Sequence, residues 1–136
     1  MRAEFIIHAA PVGKARPRVT RNGTFTPSKT REYEKLVRVE YGIQCQCKYF
    51  GDSPLAVSIT AYYQIPKSAS KRKRGQMGSK IIRPTVKPDA DNVCKAVCDA
   101  LNGVAWKDDA QITNLVFEKY YGEEPCVKVE IEEVGT

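Results

Sequence analysis

Residues 54–65, PLAVSITAYYQI, decide the class of fold. Leu55, Val57, Ile59, Ala61 and Tyr63 fall on alternate positions, the period of a strand with one buried face. Moving towards the C-terminus, residues 91–102 change period: Val93, Ala96, Val97, Ala100 and Leu101 form a helical stripe, and Asn102-Gly103 supplies a left-handed stop. Alternating apolar positions return at 112–120 and 126–134, predicting two more strands. Towards the N-terminus, Tyr33, Leu36, Val37 and Tyr41 recur every three or four residues, so a helix is predicted over 27–47, with Thr26 as cap and Pro27 in its first turn. Residues 3–9 read as a further strand. Behind it, Asn22-Gly23 suits a tight turn between 18–20 and 24–25. The expectation is an α+β fold with a small mixed or antiparallel sheet of about four strands, two main helices, and one domain spanning 1–136. Strand order does not follow from the sequence.

A chain of 136 residues with 42% hydrophobic and 28% charged side chains fits one ordinary folded domain and argues against global disorder. No apolar run approaches the ~20 residues of a membrane span, and Glu4 and His8 interrupt the only early one. A cytoplasmic protein with no membrane role is expected. Five cysteines, an odd number, predict reduced thiols and no disulfide framework. A zinc site from Cys94, Cys98, Cys45 and Cys47 is the weaker reading against small buried side chains, as is a catalytic His8.

Net charge is +6, and its distribution matters more than its sum. Lys14, Arg16, Arg18 and Arg21 form one basic group. Lys67, Lys71, Arg72, Lys73 and Arg74, followed by Lys80 and Arg83, form another. Residues 66–85 show no apolar period, so a mobile basic loop is predicted there. That loop leads directly into acidic chain.

Asp89 and Asp91 stand two apart where extended chain becomes helix, a spacing that suits a two-ligand clamp. Asp108 and Asp109 follow the helix, and a short return brings them back towards the sheet. Crowded carboxylates repel unless a cation lies among them. Hard oxygen donors suit Mg²⁺, which takes few carboxylates and leaves places for phosphate. Lys95, four residues beyond Asp91, would bring its ammonium near such a phosphate. The plainer reading stands beside this one: Asp89 or Asp91 caps the helix, Lys95 pairs with Asp91 or Asp99, and Asp108-Asp109 forms a turn.

The whole stretch 87–111, KPDADNVCKAVCDALNGVAWKDDAQ, closely resembles the signature of the RusA family of Holliday junction resolvases, found in phages and prophages. That signature runs D-x-D-N-x-x-K, then D-A-L, then an aromatic before D-D-x-Q, and each element is present in order. GKARPRVTRNGTFTPSKTREYE (13–34) and IPKSASKRKR (65–74) resemble the family's basic segments. The resemblance implies a homodimeric, magnesium-dependent endodeoxyribonuclease, with manganese as a substitute metal, that makes paired symmetric nicks in a four-way junction during recombination and repair. It implies Asp89, Asp91 and Asp109 as metal ligands and Lys95 as the essential cation. Asp108 is the alternative to Asp109, since consecutive carboxylates in extended chain face opposite ways. Asn92 is either a partner of a ligand carboxylate or a helix starter, and Trp106 packs beside the site. Lys14, Arg16, Arg18, Arg21, Lys67, Lys71, Arg72, Lys73 and Arg74 are the expected DNA contacts, made to phosphates. Two rival readings remain: a nuclease for flaps or forks, and a noncatalytic module that binds branched DNA.

Overall fold

The computed structural model describes residues 1–15, 18–25 and 28–135. Strand β1 (Arg2–Ile7) is followed by a small antiparallel ribbon, β2 (Arg18–Thr20) and β3 (Gly23–Phe25). Helix α1 (Ser28–Cys45), strand β4 (Leu55–Gln64), helix α2 (Lys71–Gly78), helix α3 (Ala90–Leu101), a short 3₁₀ turn (Asp109–Gln111), β5 (Ile112–Gly122) and β6 (Cys126–Glu133) complete the order. The predicted cap Thr26-Pro27 lies outside the described residues.

The main sheet is mixed and runs β1-β6-β4-β5. β6 is antiparallel to both β1 and β4, whereas β4 and β5 are parallel, from Leu55↔Ile112 to Gln64↔Gly122. Parallel neighbours need a long crossover, and α3 lies within it. The alternating side chains of β4 behave as expected: Leu55, Val57, Ile59, Ala61 and Tyr63 are buried. They meet Phe5 and Ile7 of β1, Val127, Val129 and Ile131 of β6, and the apolar stripe of α3 in one core. Tyr33, Val37, Tyr41 and Cys45 bury one face of α1, where Tyr41 meets Phe5 edge-on at 5.3 Å between ring centres.

The two sheet edges are treated differently. Along β1, α1 supplies the missing backbone partners: Gln44 both accepts from Ile6 N (2.9 Å) and donates to Ile6 O (2.7 Å), and Glu40 accepts from His8 N. Lys48 donates to Arg2 O. At the opposite edge, Leu115 and Val116 of β5 are each 50% exposed.

The basic stretch 66–85 departs from expectation, because residues 71–78 are helical. Local hydrogen bonds, not an apolar face, make the helix. Ser70 caps it by accepting from Lys73 N (3.2 Å), and Arg74 donates to the carbonyls of Pro66, Lys67 and Ala69. Met77 is the one buried side chain of the helix. No helix among the described residues is long and apolar enough to cross a membrane.

Losing the Ser70 cap should therefore act locally. Ser70→Ala is expected to cost α2 about 1 kcal/mol. Amide hydrogen exchange over 71–78 should accelerate about fivefold while exchange in β4 and β6 stays unchanged; uniform acceleration would mean that α2 unfolds only with the core.

Candidate active site

Two segments frame the acidic residues, and the core fixes both. The first is 87–92. Gly13 lies so close to it that a Cβ there would meet Pro88 Cβ at 3.1 Å and Asn92 Cβ at 3.2 Å, and Lys14 N donates to Asn92 O (2.9 Å). From the sheet side, Tyr63 donates its hydroxyl to Pro88 O at 2.6 Å. Burial, with Asp89 nearby, pushes the Tyr63 phenol up to about 12, so it keeps the proton it donates.

The second segment is the turn 106–111. Gly103, at φ +79°, reverses the chain after α3 and donates its N–H to Trp106 O (2.8 Å), which folds the indole into the core. Trp106 is fully buried, and its Nε1–H donates to Asp109 Oδ1 at 2.8 Å. Asp108 holds the turn through its main chain: Gln111 N donates to Asp108 O (3.1 Å), while Gln111 Oε1 accepts from Asp108 N (2.9 Å). Gln111 Nε2 donates to Gly51 O (2.9 Å) and Ser53 O (2.7 Å), tying the turn to the chain that enters β4. Trp106 packs beside the site as its position in the sequence predicts; the indole hydrogen bond and the contacts of Gln111 and Tyr63 go beyond that expectation. The order of W-K-D-D-A-Q carried the first two of these, since an indole three residues before an aspartate can reach back to it.

Between the segments, α3 and β5 form a groove with a cavity of about 600 Å³. Asp91, Lys95 and Asp99 succeed one another along its helical wall, four residues apart, so Asp91 and Asp99 stand about 12 Å apart along the axis. Asp109, Ile112, Leu115 and Phe117 form the facing wall. Lys95 is exposed and its charge reaches Asp109. Asp89 does not open into this groove. It lines a second cavity on the other side of the start of α3, although Ala90 belongs to the first. Among the described residues, no three Asp, Glu, His or Cys side chains gather closely enough to hold a metal ion. The structure thus brings Asp91, Lys95 and Asp109 to one groove and sets Asp89 apart at its end. Asp91 and Asp109 are nonetheless the hard, negatively charged oxygen donors that magnesium takes.

Burial raises the Asp109 carboxyl above its ordinary 3.8; the Trp106 hydrogen bond opposes this, Asp99 and Asp108 add to it, and Lys95 opposes it. An anion kept part-buried against its preference suits a cationic ligand. Burial also raises the two groove thiols, Cys94 to about 11 and Cys98 to about 12, so both stay protonated at neutral pH. His8 Nδ1 lies 2.6 Å from Glu40 Oε2, at the α1-guarded edge of the sheet.

The predicted DNA-contact residues separate as well. Lys14 Nζ is 2.9 Å from Glu34 Oε2 and 3.2 Å from Asp99 Oδ2, so its charge is matched internally. Arg74 is spent on α2. Arg21, Lys67, Lys71, Arg72 and Lys73 are exposed. Arg16 and the side chain of Arg18 lie outside the described residues.

With fold and groove defined, the chain compares closely with known proteins. The family described as Endodeoxyribonuclease RusA matches residues 8–132. The chain is also 36% identical over 138 residues to the uncharacterized protein YqaN of Bacillus subtilis (strain 168), covering 97% of this chain and 96% of that one. The class is that of enzymes that cut DNA internally: the chain belongs to the RusA endodeoxyribonuclease family.

Two variants test the electrostatics. Asp109→Asn keeps an oxygen for the Trp106 N–H and removes the charge. Because the folded carboxyl titrates above its unfolded value, metal-free wild type should lose stability relative to this variant as pH rises from near 3.8 through the higher folded value, and the gap should then level off. Thermal melts in chelator across pH measure it; parallel curves would remove the burial argument. Trp106→Phe leaves Asp109 without its donor and a gap beside the core, and should cost about 2–4 kcal/mol in urea unfolding.

Proposed function

We propose that the protein is a magnesium-dependent endodeoxyribonuclease, with manganese as a substitute metal, that resolves four-way DNA junctions as a homodimer by paired symmetric nicks in recombination and repair. The single observation that carries the reading is the shared groove of Asp91, Lys95 and Asp109, built from the family signature in a chain that the family matches over nearly its whole length. Asp91 and Asp109, with Asp89 two residues before Asp91 at the start of α3, are the residues that would hold the metal. When bound there, magnesium lowers the pKa of water and offsets charge on the phosphate.

The chain's own residues divide the remaining work. Asp109 is aimed by Trp106, whose N–H occupies one carboxylate oxygen and leaves the other for the groove. Lys95 brings a positive charge to the wall opposite Asp109, suited to a phosphate whose negative charge grows as water attacks. Asp108 supports the turn and is no part of the proposed ligand set. The exposed cations of α2 and of the segment before it, Lys67, Lys71, Arg72 and Lys73, contact backbone phosphates of the arms, where charge and shape count for more than base sequence.

A dimer follows from the substrate. A junction presents paired equivalent strands, so two copies related by a two-fold axis can nick both in one encounter. Flap or fork cleavage would use the same groove chemistry and differ only in what the surrounding surface admits.

The test is purified protein with Mg²⁺ and a panel of synthetic four-way junctions, flaps, forks and linear duplex. Wild type should place symmetric nicks in the junction and act at least ~10-fold more slowly on the others, while Asp91→Asn should bind without nicking. Binding without nicks by wild type would favour the noncatalytic module; equal rates on flaps would remove junction preference.

A further inference from the structure

The cavity on the Asp89 side of the start of α3 has no assigned role. It encloses about 590 Å³ between the 11–15 segment, the first turn of α1 and the stretch 87–92. Lys29 and Lys87 line it from opposite elements, with Gly13, Lys14, Asp89 and Asn92 around them. The three lysines are not equivalent. Lys14 is neutralised by Glu34 and Asp99, whereas Lys29 and Lys87 are exposed, with no carboxylate within 4.0 Å and no hydrogen-bond partner among the described residues. Two unmatched ammonium groups facing one concavity make a site for an anion, and Lys presents its charge as a compact, orientable point suited to phosphate.

The cavity's position says which anion. Asp89 lines this cavity and Ala90, the next residue, lines the groove of Asp91, Lys95 and Asp109, so the two openings adjoin across a single peptide unit. A polymer with regularly spaced phosphates can occupy both at once. A free phosphate gains nothing from that adjacency.

We propose that the Lys29–Lys87 cavity is a backbone-phosphate subsite for the DNA strand being cut: the strand crosses the start of α3 and seats phosphates next to the scissile one against these two lysines. The inference rests on the nuclease reading. It replaces Lys14 with Lys29 and Lys87 as the phosphate contacts around the 11–15 segment. Asp89 adds a carboxylate beside the path, which the paired lysines offset and which keeps the subsite from holding a lone anion tightly.

The experiment measures binding, not cutting. In chelator, the Asp91→Asn protein is titrated with a synthetic four-way junction at several salt concentrations, alone and with Lys29→Ala, Lys87→Ala, both together, or Lys128→Ala on the far face of the sheet. Each cavity lysine removed should weaken binding several-fold and flatten the slope of log K against log salt by about 0.7–0.9, the double variant by about twice that, and Lys128→Ala should change neither. Inorganic phosphate up to millimolar levels should not compete. A double variant with the parent's slope overturns the subsite while leaving the nuclease reading intact. A parent that binds no junction, together with a wild type that makes no nicks, overturns both.

Discussion

Parallel pairing of β4 with β5 is the constraint on which the rest of the molecule depends. Two parallel neighbours cannot be joined by a tight turn, so the chain leaves the end of β4, packs α3 across the sheet and returns to the start of β5. The charged side chains that line the groove are all carried on that excursion. Asp89 is on its outward bend, Asp91 and Lys95 on its helix and Asp109 on its return. The groove is the space left where the helix and β5 stand side by side.

That arrangement explains why so many fixing contacts gather on residues with no charge to contribute. Gly13 and Tyr63 pin the outward bend, Trp106 and Gln111 pin the return, and the apolar stripe of α3 sets the distance between the two. A groove whose acidic walls belong to separately anchored segments withstands mutual repulsion better than one built on a single loop. Asp109 shows the cost of such anchoring, since burial works against its charge.

The sequence was informative wherever side chains repeat with a period. The alternation in PLAVSITAYYQI and the stripe of Val93, Val97 and Leu101 express burial directly, and both elements formed as expected. Helix α2 has no stripe to read: it depends on Ser70 and on an arginine turned back onto its own chain, interactions that leave no periodic trace. The parallel choice for β5 was equally hidden, because strand pairing is decided between segments far apart in the chain. For the acidic residues, the motif singled out candidates but not their distribution between two cavities, which depends on which way each side chain leaves the first turn of α3. Lys14 could be read only as a surface cation, since its partners Glu34 and Asp99 lie 20 and 85 residues away.

The hydrogen bond from Trp106 to Asp109 has a further consequence, an optical one. Trp106 is the only tryptophan in the chain, it is shielded from solvent, and its ring nitrogen touches a groove carboxylate. Indole emission therefore originates at one point, and its colour and intensity depend on the charge carried by the atom it is bonded to. The protein carries its own dye beside the groove: protonation, ion binding or displacement of Asp109 becomes visible in unlabelled material, without a substrate and without turnover.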